Sequence, residues 1–388
     1  MSTSPRRRCD VLVVGVGGMG AAALAHLASR DRGLEVVGVE QDDVPSARGS
    51  SAGETRVIRK AYAEDPRYVP LLVRAYALWG ELEARSGERL FERVGCLNLG
   101  PVDHAAIRGV RESVARHGLP HEVLDADAVR ARFAVVPRAG DVGVFEQDAG
   151  FLRPSACTAA HARWAQSRGA ELRTHARVTE LDVRAASVVA RLDDGAAIEA
   201  DHAVVSAGPW LASAPALRGV ARALRLAVGR QAQLWFEPAA PEAARPPKLP
   251  AFIHFTERGA FYGIPPDDAH PSPAVKVCRH HGGEATSADA LDRALRPADE
   301  ADVRRYVREH LPAADGPLVR SHVCMYTNTP DEHFVVGTLP GAPHVVVLGG
   351  FSGHGYKMAS VVGEIAADLV VSGRSAFDLG MFSPARFA

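Results

Sequence analysis

The glycines at 15, 17 and 20 are spaced for phosphate chemistry. Gly15-Val16-Gly17-Gly18-Met19-Gly20 follows an apolar, β-branched run from Asp10 to Val14 and precedes a helical pattern from Ala21 to Arg30. Such a turn joins the first strand and helix of a βαβ unit. Gly15 permits the sharp change of direction, Gly17 lets backbone N–H groups approach a pyrophosphate, and Gly20 lets helix and strand pack closely. The helix N-terminus turns its partial positive charge toward the phosphates. Leu34 to Glu40 reads as the second strand. Its terminal carboxylate is placed to accept bonds from a ribose hydroxyl. A dinucleotide is implied, and this turn alone leaves FAD and NAD both open.

A second group carries charge, imidazole and thiol. Ala260–Ile264 and Ala274–His280 read as two strands of a hairpin around a proline-rich loop. Period two then places Lys276, Cys278 and His280 on one face, with Tyr262 on the facing strand. Lys357 ends the glycine-rich segment Gly349-Gly350-Phe351-Ser352-Gly353-His354-Gly355-Tyr356-Lys357, between a strand at Val345–Leu348 and a helix at Met358–Val371. Gly353 and Gly355 there admit close backbone approach to a ligand. Cys324 lies in Val323-Cys324-Met325-Tyr326-Thr327.

The elements that must position these residues fall into two textures. Asp65-Pro66 supplies an N-cap and a first-turn proline, and Leu72, Ala75, Tyr76 and Trp79 follow at helical spacing toward Gly87. Strands are expected at Gly95–Gly100, Gly143–Gln147, Glu171–Thr174, Ser187–Arg191 and His202–Ser206, and helices at Val102–His117, Pro154–Ser167 and Ala301–Leu311. From Leu224–Phe236 through Ala251–Phe255 to His280 the pattern turns antiparallel. The expected architecture is α/β: a Rossmann-like dinucleotide-binding domain interwoven with an α+β substrate domain that contains a mostly antiparallel sheet. The binding domain is expected to be discontinuous, from 7–90, 150–220 and 322–388, with 91–149 and 221–321 forming the substrate domain.

Composition narrows the classes. The 388 residues carry 45 Lys+Arg against 46 Asp+Glu, a formal net charge of −1. The signs are mixed along the chain, which argues against nucleic acid or an anionic membrane as partner. Five widely spaced cysteines with no CxxC pair argue against a disulfide scaffold or a zinc site, so no metal is expected, and a reducing, cytoplasmic setting fits. Arg6-Arg7-Arg8 before an apolar stretch imitates a secretory leader, but Asp10 and the regularly spaced glycines mark it as the start of the fold. No stretch approaches the ~20 apolar residues of a membrane span.

These motifs together resemble the monomeric sarcosine oxidase and N-methyl-tryptophan oxidase family, within the glutathione-reductase-like flavoprotein amine oxidases. The resemblance runs from the N-terminal turn through Gly49-Ser50 and Gly53-Glu54-Thr55-Arg56-Val57-Ile58-Arg59, then Gly150-Phe151-Leu152-Arg153 and Ser206-Ala207-Gly208-Pro209-Trp210. It continues in Phe261-Tyr262-Gly263, Lys276 to His280, Cys324 to Thr327 with Asp331-Glu332-His333-Phe334, and Phe351 to Lys357. The resemblance implies FAD, held by Gly15, Gly17, Gly20, Glu40, Ser50, Thr55, Gly353, Gly355 and Lys357, and joined by a thioether from Cys324 to the 8α-methyl. It implies that Arg59 and Lys357 hold a substrate carboxylate. Arg56 and Lys276 flank the flavin ring, Lys276 serving oxygen activation, and Tyr262, His280 and Tyr326 line the pocket. The implied activity is oxidation of secondary or tertiary (N-methyl) α-amino acids by O2, giving imine or aldehyde and H2O2, in a monomer.

Four positions depart from that pattern. Ser51-Ala52 stands where the family commonly has two histidines, Lys60 replaces a histidine, and Met358 stands where an aromatic is common. Ala52 cannot donate a proton and leaves extra space. A cyclic imino-acid oxidase or a tailoring amine oxidase is the alternative. Outside this class stand an NAD-dependent dehydrogenase, which would be colourless, and a flavin-binding protein without turnover.

Overall fold

The structure, a computed structural model, describes residues 6–30 and 33–387. Two large sheets dominate it. The first has eight strands, with Arg6–Val14 between Val36–Val39 and Ala197–Val205, all three parallel. Ala342–Gly349 extends the parallel set on Ala197–Val205. Its strand residues alternate between two cores. Val11 and Val13 face a cluster built with the helices Gly18–Ala28, Val69–Ser86, Pro154–Ser167 and Ala359–Ser372. Leu12 and Val14 face the opposite cluster with Val188, Leu211 and Leu224. Burial on both faces explains why the sequence here reads as continuous apolar runs.

The second sheet has nine strands and is mainly antiparallel. Here alternation separates an apolar face from a polar one. Leu234, Phe236, Phe252, Phe261, Val275 and Val277 pack with Val303, Tyr306 and Val307 of the helix Pro297–His310. Register puts Lys276 opposite Ile264 and Trp235, Cys278 opposite Tyr262, and Cys324 opposite Gln231. Lys276, Cys278 and His280 therefore share the face away from that core, as period two requires. A small sheet of Arg56–Ile58, Gly150–Leu152 and Phe91–Arg93 lies apart from both.

Some boundaries move. The helix after Pro101 begins at Ala105, because His104 Nδ1 caps it by accepting from Ala106 N at 3.2 Å. The helix expected from Ala301 begins at Pro297, where Asp299 accepts the Arg296 N–H at 2.8 Å. The strand Leu318–Asn328, not foreseen as an element, pairs with Ala227–Phe236 along its whole length. It belongs to the second sheet, so the boundary expected at 322 falls inside one strand of that sheet. Polar residues at Arg320 and His322 and the thiol of Cys324 hide such a strand from a pattern search, because their partners, Glu54 and Gln233 among them, come from elsewhere in the fold.

Candidate active site

The first strand delivers the chain to Gly15, which adopts φ +85° with no room for a side chain: a Cβ would lie 2.6 Å from the Ser206 carbonyl oxygen. Gly20 is equally constrained, since its Cβ would collide with the Gly15 carbonyl. The turn and the N-terminus of the Gly18–Ala28 helix open on a cavity of about 440 Å3. Gly15, Gly17, Glu40, Ser50, Arg56, Tyr326, Gly353 and Gly355 all line it. The cavity therefore gathers contributions from 14–56, 155–217 and 325–356 into one trough.

Glu40 accepts the Val16 N–H at 2.8 Å and the Asp42 N–H at 3.2 Å. Burial raises its carboxyl above the usual range against those two bonds. The hydroxyls of Ser50, Thr55 and Thr327 are buried without a hydrogen-bond partner, and Ser50 and Thr327 border the cavity. Orphaned hydroxyls beside a glycine-lined trough suit a ligand rich in phosphate, ribose and ribityl oxygens.

Arg56 stands at the cavity wall, and Thr55, Lys276 and Cys324 are not part of its lining. Arg56 is wrapped in carbonyls: it donates to Thr55 O at 2.9 Å, to Ser50 O at 3.0 Å and to Ala52 O. Lys276 is 1% exposed; its Nζ donates to Thr55 O at 2.9 Å and lies 5.1 Å from the Trp235 ring centre and 5.8 Å from that of Tyr262. Burial, with Arg56 nearby, lowers its ammonium to about 8. Cys324 is buried, and its sulfur accepts from Gln233 Nε2 at 3.0 Å.

Arg59 and Lys357 form a second centre. Both are buried, and both stand over the Tyr62 ring, at 4.8 and 5.2 Å from its centre. Lys357 Nζ donates to His354 O, and the Lys357 carbonyl accepts from Trp79 Nε1 at 2.8 Å. Arg59 Nη2 lies 3.6 Å from Glu64 Oε2. Burial pushes the Glu64 carboxyl up, but Arg59, His354 and Lys357 outweigh it and hold the group at about 2. Burial and Arg59 bring Lys357 down to about 7. His354 Nε2 lies 3.0 Å from the Glu332 carbonyl, an obligate acceptor, so Nε2 carries the proton and Nδ1 accepts from the Tyr62 hydroxyl 2.6 Å away.

On the sheet side, the Tyr326 hydroxyl lies 3.1 Å from His280 Nδ1, and His281 lies against His280 with ring centres 4.0 Å apart and planes tilted by 59°. Burial, with His281 and His354, drives His280 well below its usual value, so its ring is neutral at pH 7. Gly353, at φ +77°, gives way to the Tyr326 ring, which would occupy the place of any Cβ there.

Sequence reasoning placed Lys276, Cys278 and His280 on one sheet face with Tyr262 opposite, and of the expected cofactor and pocket residues Arg56, Tyr326, Gly15, Gly17, Gly353 and Gly355 line the cavity while Gly20 does not. It missed Glu64, Tyr62 and Gln233. Glu64 sits in a loop just before Asp65-Pro66, where no periodicity marks it. Gln233 lies in a strand whose alternation does predict its face; only the identity of its neighbours was hidden. Among the described residues no cluster suits a metal ion, and no helix is long and apolar enough to cross a membrane.

Comparison with known proteins agrees with this geometry. The chain is 36% identical over 383 residues to a monomeric sarcosine oxidase of Streptomyces avermitilis, covering 98% of each. It is 34% identical to an N-methyl-L-tryptophan oxidase of Salmonella dublin, covering 98% of this chain and 99% of the other. Among solved structures, NikD, an unusual amino acid oxidase essential for nikkomycin biosynthesis, superposes in its open form with a TM-score of 0.84 at 25% identity, over 97% of this chain and 98% of that one. Residues 10–369 match the family described as DAO, FAD dependent oxidoreductase. With a glycine turn, orphaned hydroxyls and a trough of the right chemistry already in place, this chain belongs to the FAD dependent oxidoreductase family.

Proposed function

We propose that the protein oxidises secondary or tertiary α-amino acids of the sarcosine type, with O2 as acceptor. The observation that carries this reading is the centre at Arg59 and Lys357, two buried cations, Arg59 paired with Glu64 at 3.6 Å and Lys357 within the field of the same carboxylate. A substrate carboxylate can replace Glu64 there without any new charge being buried. Arg59 offers a planar fork and Lys357 a compact ammonium. Their positive field also favours the neutral form of a bound amine, so no strong base is needed. Neutral His280, with Tyr326 and Tyr262, would line the pocket for the rest of the substrate. The contribution of these groups is chiefly to orient the amine.

When bound, FAD supplies the two-electron oxidation of the C–N bond. The imine released hydrolyses in water, giving formaldehyde where an N-methyl group was oxidised. Lys276, a cation with carbonyl and aromatic neighbours, is suited to stabilise charge developing on O2 as H2O2 forms. Gly15, Gly17, Gly20, Glu40, Ser50, Thr55, Gly353 and Gly355 would hold the cofactor, Arg56 would flank its ring, and Cys324 would bear the covalent link. The two-lobed division at 91–149 and 221–321 is kept, with Leu318–Asn328 moved to the substrate lobe. Five buried free thiols fit a reducing cytoplasm, and the protein is taken to act as a monomer.

An anaerobic screen of N-methyl and cyclic amino acids, followed by flavin absorbance, tests this. Bleaching by an N-methyl amino acid is expected. No response to any carboxylated amine would refute it. A cyclic imino acid is the second reading, favoured by the small side chain of buried Ala52, and it predicts faster bleaching by proline or pipecolate than by sarcosine.

A further inference from the structure

Gln233 is 2% exposed and lies in the centre of the polar face of the second sheet. Register sets Gln231, not Gln233, across from Cys324, and Gln233 across from His322. The Gln233 amide therefore reaches diagonally, a span long side chains cover in antiparallel pairs. Its Nε2 stands 3.0 Å from Cys324 Sγ. Its Oε1 accepts from Arg56 Nη1 at 3.5 Å. The guanidinium has no acceptor, so it selects the carbonyl end of the amide and leaves the NH2 end to the sulfur. Gly53 makes room for this contact: at φ +107°, a Cβ there would lie 2.8 Å from Gln233 Oε1 and 3.2 Å from Arg56 Nη1.

We infer that Gln233 is the positioning residue for Cys324, its amide N–H holding the sulfur and stabilising it as the thiolate that attacks the flavin. The inference rests on the reading that Cys324 bears the flavin. In that linkage one C–S bond forms to the 8α-carbon. The thiol hydrogen and one methyl hydrogen are lost, and O2 takes up both with their electrons to become H2O2. Ala52 supplies no donor in this region, which leaves the Arg56–Gln233 relay as the polar contact to the sulfur.

The test compares wild type with Gln233→Leu, Gln233→Glu and Gln233→His, each prepared as full-length flavin-free protein. One arm adds FAD and follows acid-stable flavin with time. The other measures alkylation of Cys324 by iodoacetamide at neutral pH, assigned by peptide mass. Gln233→Leu should slow both by about tenfold, the loss of one hydrogen bond to a charged group. Gln233→Glu keeps the shape and the Arg56 contact but sets a carboxylate against the sulfur, so it should be slowest. Gln233→His, which retains an N–H, should recover part of the rate. If Gln233→Glu matches wild type in both arms, the role is packing alone and the inference falls. If wild type itself holds no acid-stable flavin, the linkage reading falls instead; the alkylation order then decides the Gln233 contact by itself, equal rates overturning it.

Discussion

Arg59 pairs with a carboxylate of its own chain, Glu64, in whose field Lys357 also lies, whereas Lys276 and Arg56 are held by carbonyl oxygens and aromatic faces. Among the described residues neither Lys276 nor Lys357 has a carboxylate within ion-pair distance, so the contrast rests on Arg59 and Glu64, with Lys357 beside that pair. The difference separates two uses of buried positive charge. A cation already facing a carboxylate can exchange it for another at small electrostatic cost, which suits reversible recognition of an amino acid. A cation with only dipoles for partners keeps its field directed at whatever charge develops beside it. Both lysines pay in desolvation, and both are lowered, Lys357 to about 7 and Lys276 to about 8.

The comparison breaks if the two centres respond alike to loss of charge. Lys276→Met should slow reoxidation of the reduced enzyme by O2 on the order of 10²-fold, the usual cost of one preorganised electrostatic donor, while anaerobic reduction by substrate changes little. Stopped-flow traces of the two half-reactions give the answer; equal slowing would place Lys276 in the reductive step. Arg59→Met should do the reverse, raising the apparent Kd of the amino acid by about 10- to 100-fold and sparing reoxidation.

Two smaller effects sharpen the picture. A short carboxylate without an amine, such as propionate, should bind the oxidised enzyme with pH-dependent strength. Lys357 loses its proton as pH rises through about 7, so affinity should fall from pH 7 toward 9, and Lys357→Met should flatten that limb. Titration by flavin difference spectra measures it. Glu64→Gln removes the internal competitor and should tighten propionate about fivefold, equivalent to ~1 kcal/mol. Weaker binding in that variant would mean Glu64 organises the cations rather than competing for them.

The sequence was most legible where a residue's local setting decides its role. The glycine turn, the cap at Asp65-Pro66 and the alternation carrying Lys276, Cys278 and His280 each depend on neighbours within a few positions, and each stands in the fold as read. Leu318–Asn328 was harder, because the polar side chains on it meet partners brought in from other strands and loops rather than water, which removes the plain alternation of a half-exposed strand.

From the chain alone came the class of fold, the dinucleotide turn and the identities of the cations, since backbone geometry at Gly15 and the charge of Arg59, Lys276 and Lys357 are properties of single residues and short spacings; the flavin came from the resemblance of the motifs to a family. Which carboxylate faces which cation, and which amide meets the sulfur, arose only on folding. Glu64 meets Arg59 through a loop, and Gln233 meets Cys324 across two strands 91 residues apart in sequence. Those contacts are set by loop path and sheet register, and neither is written in any local pattern of side chains.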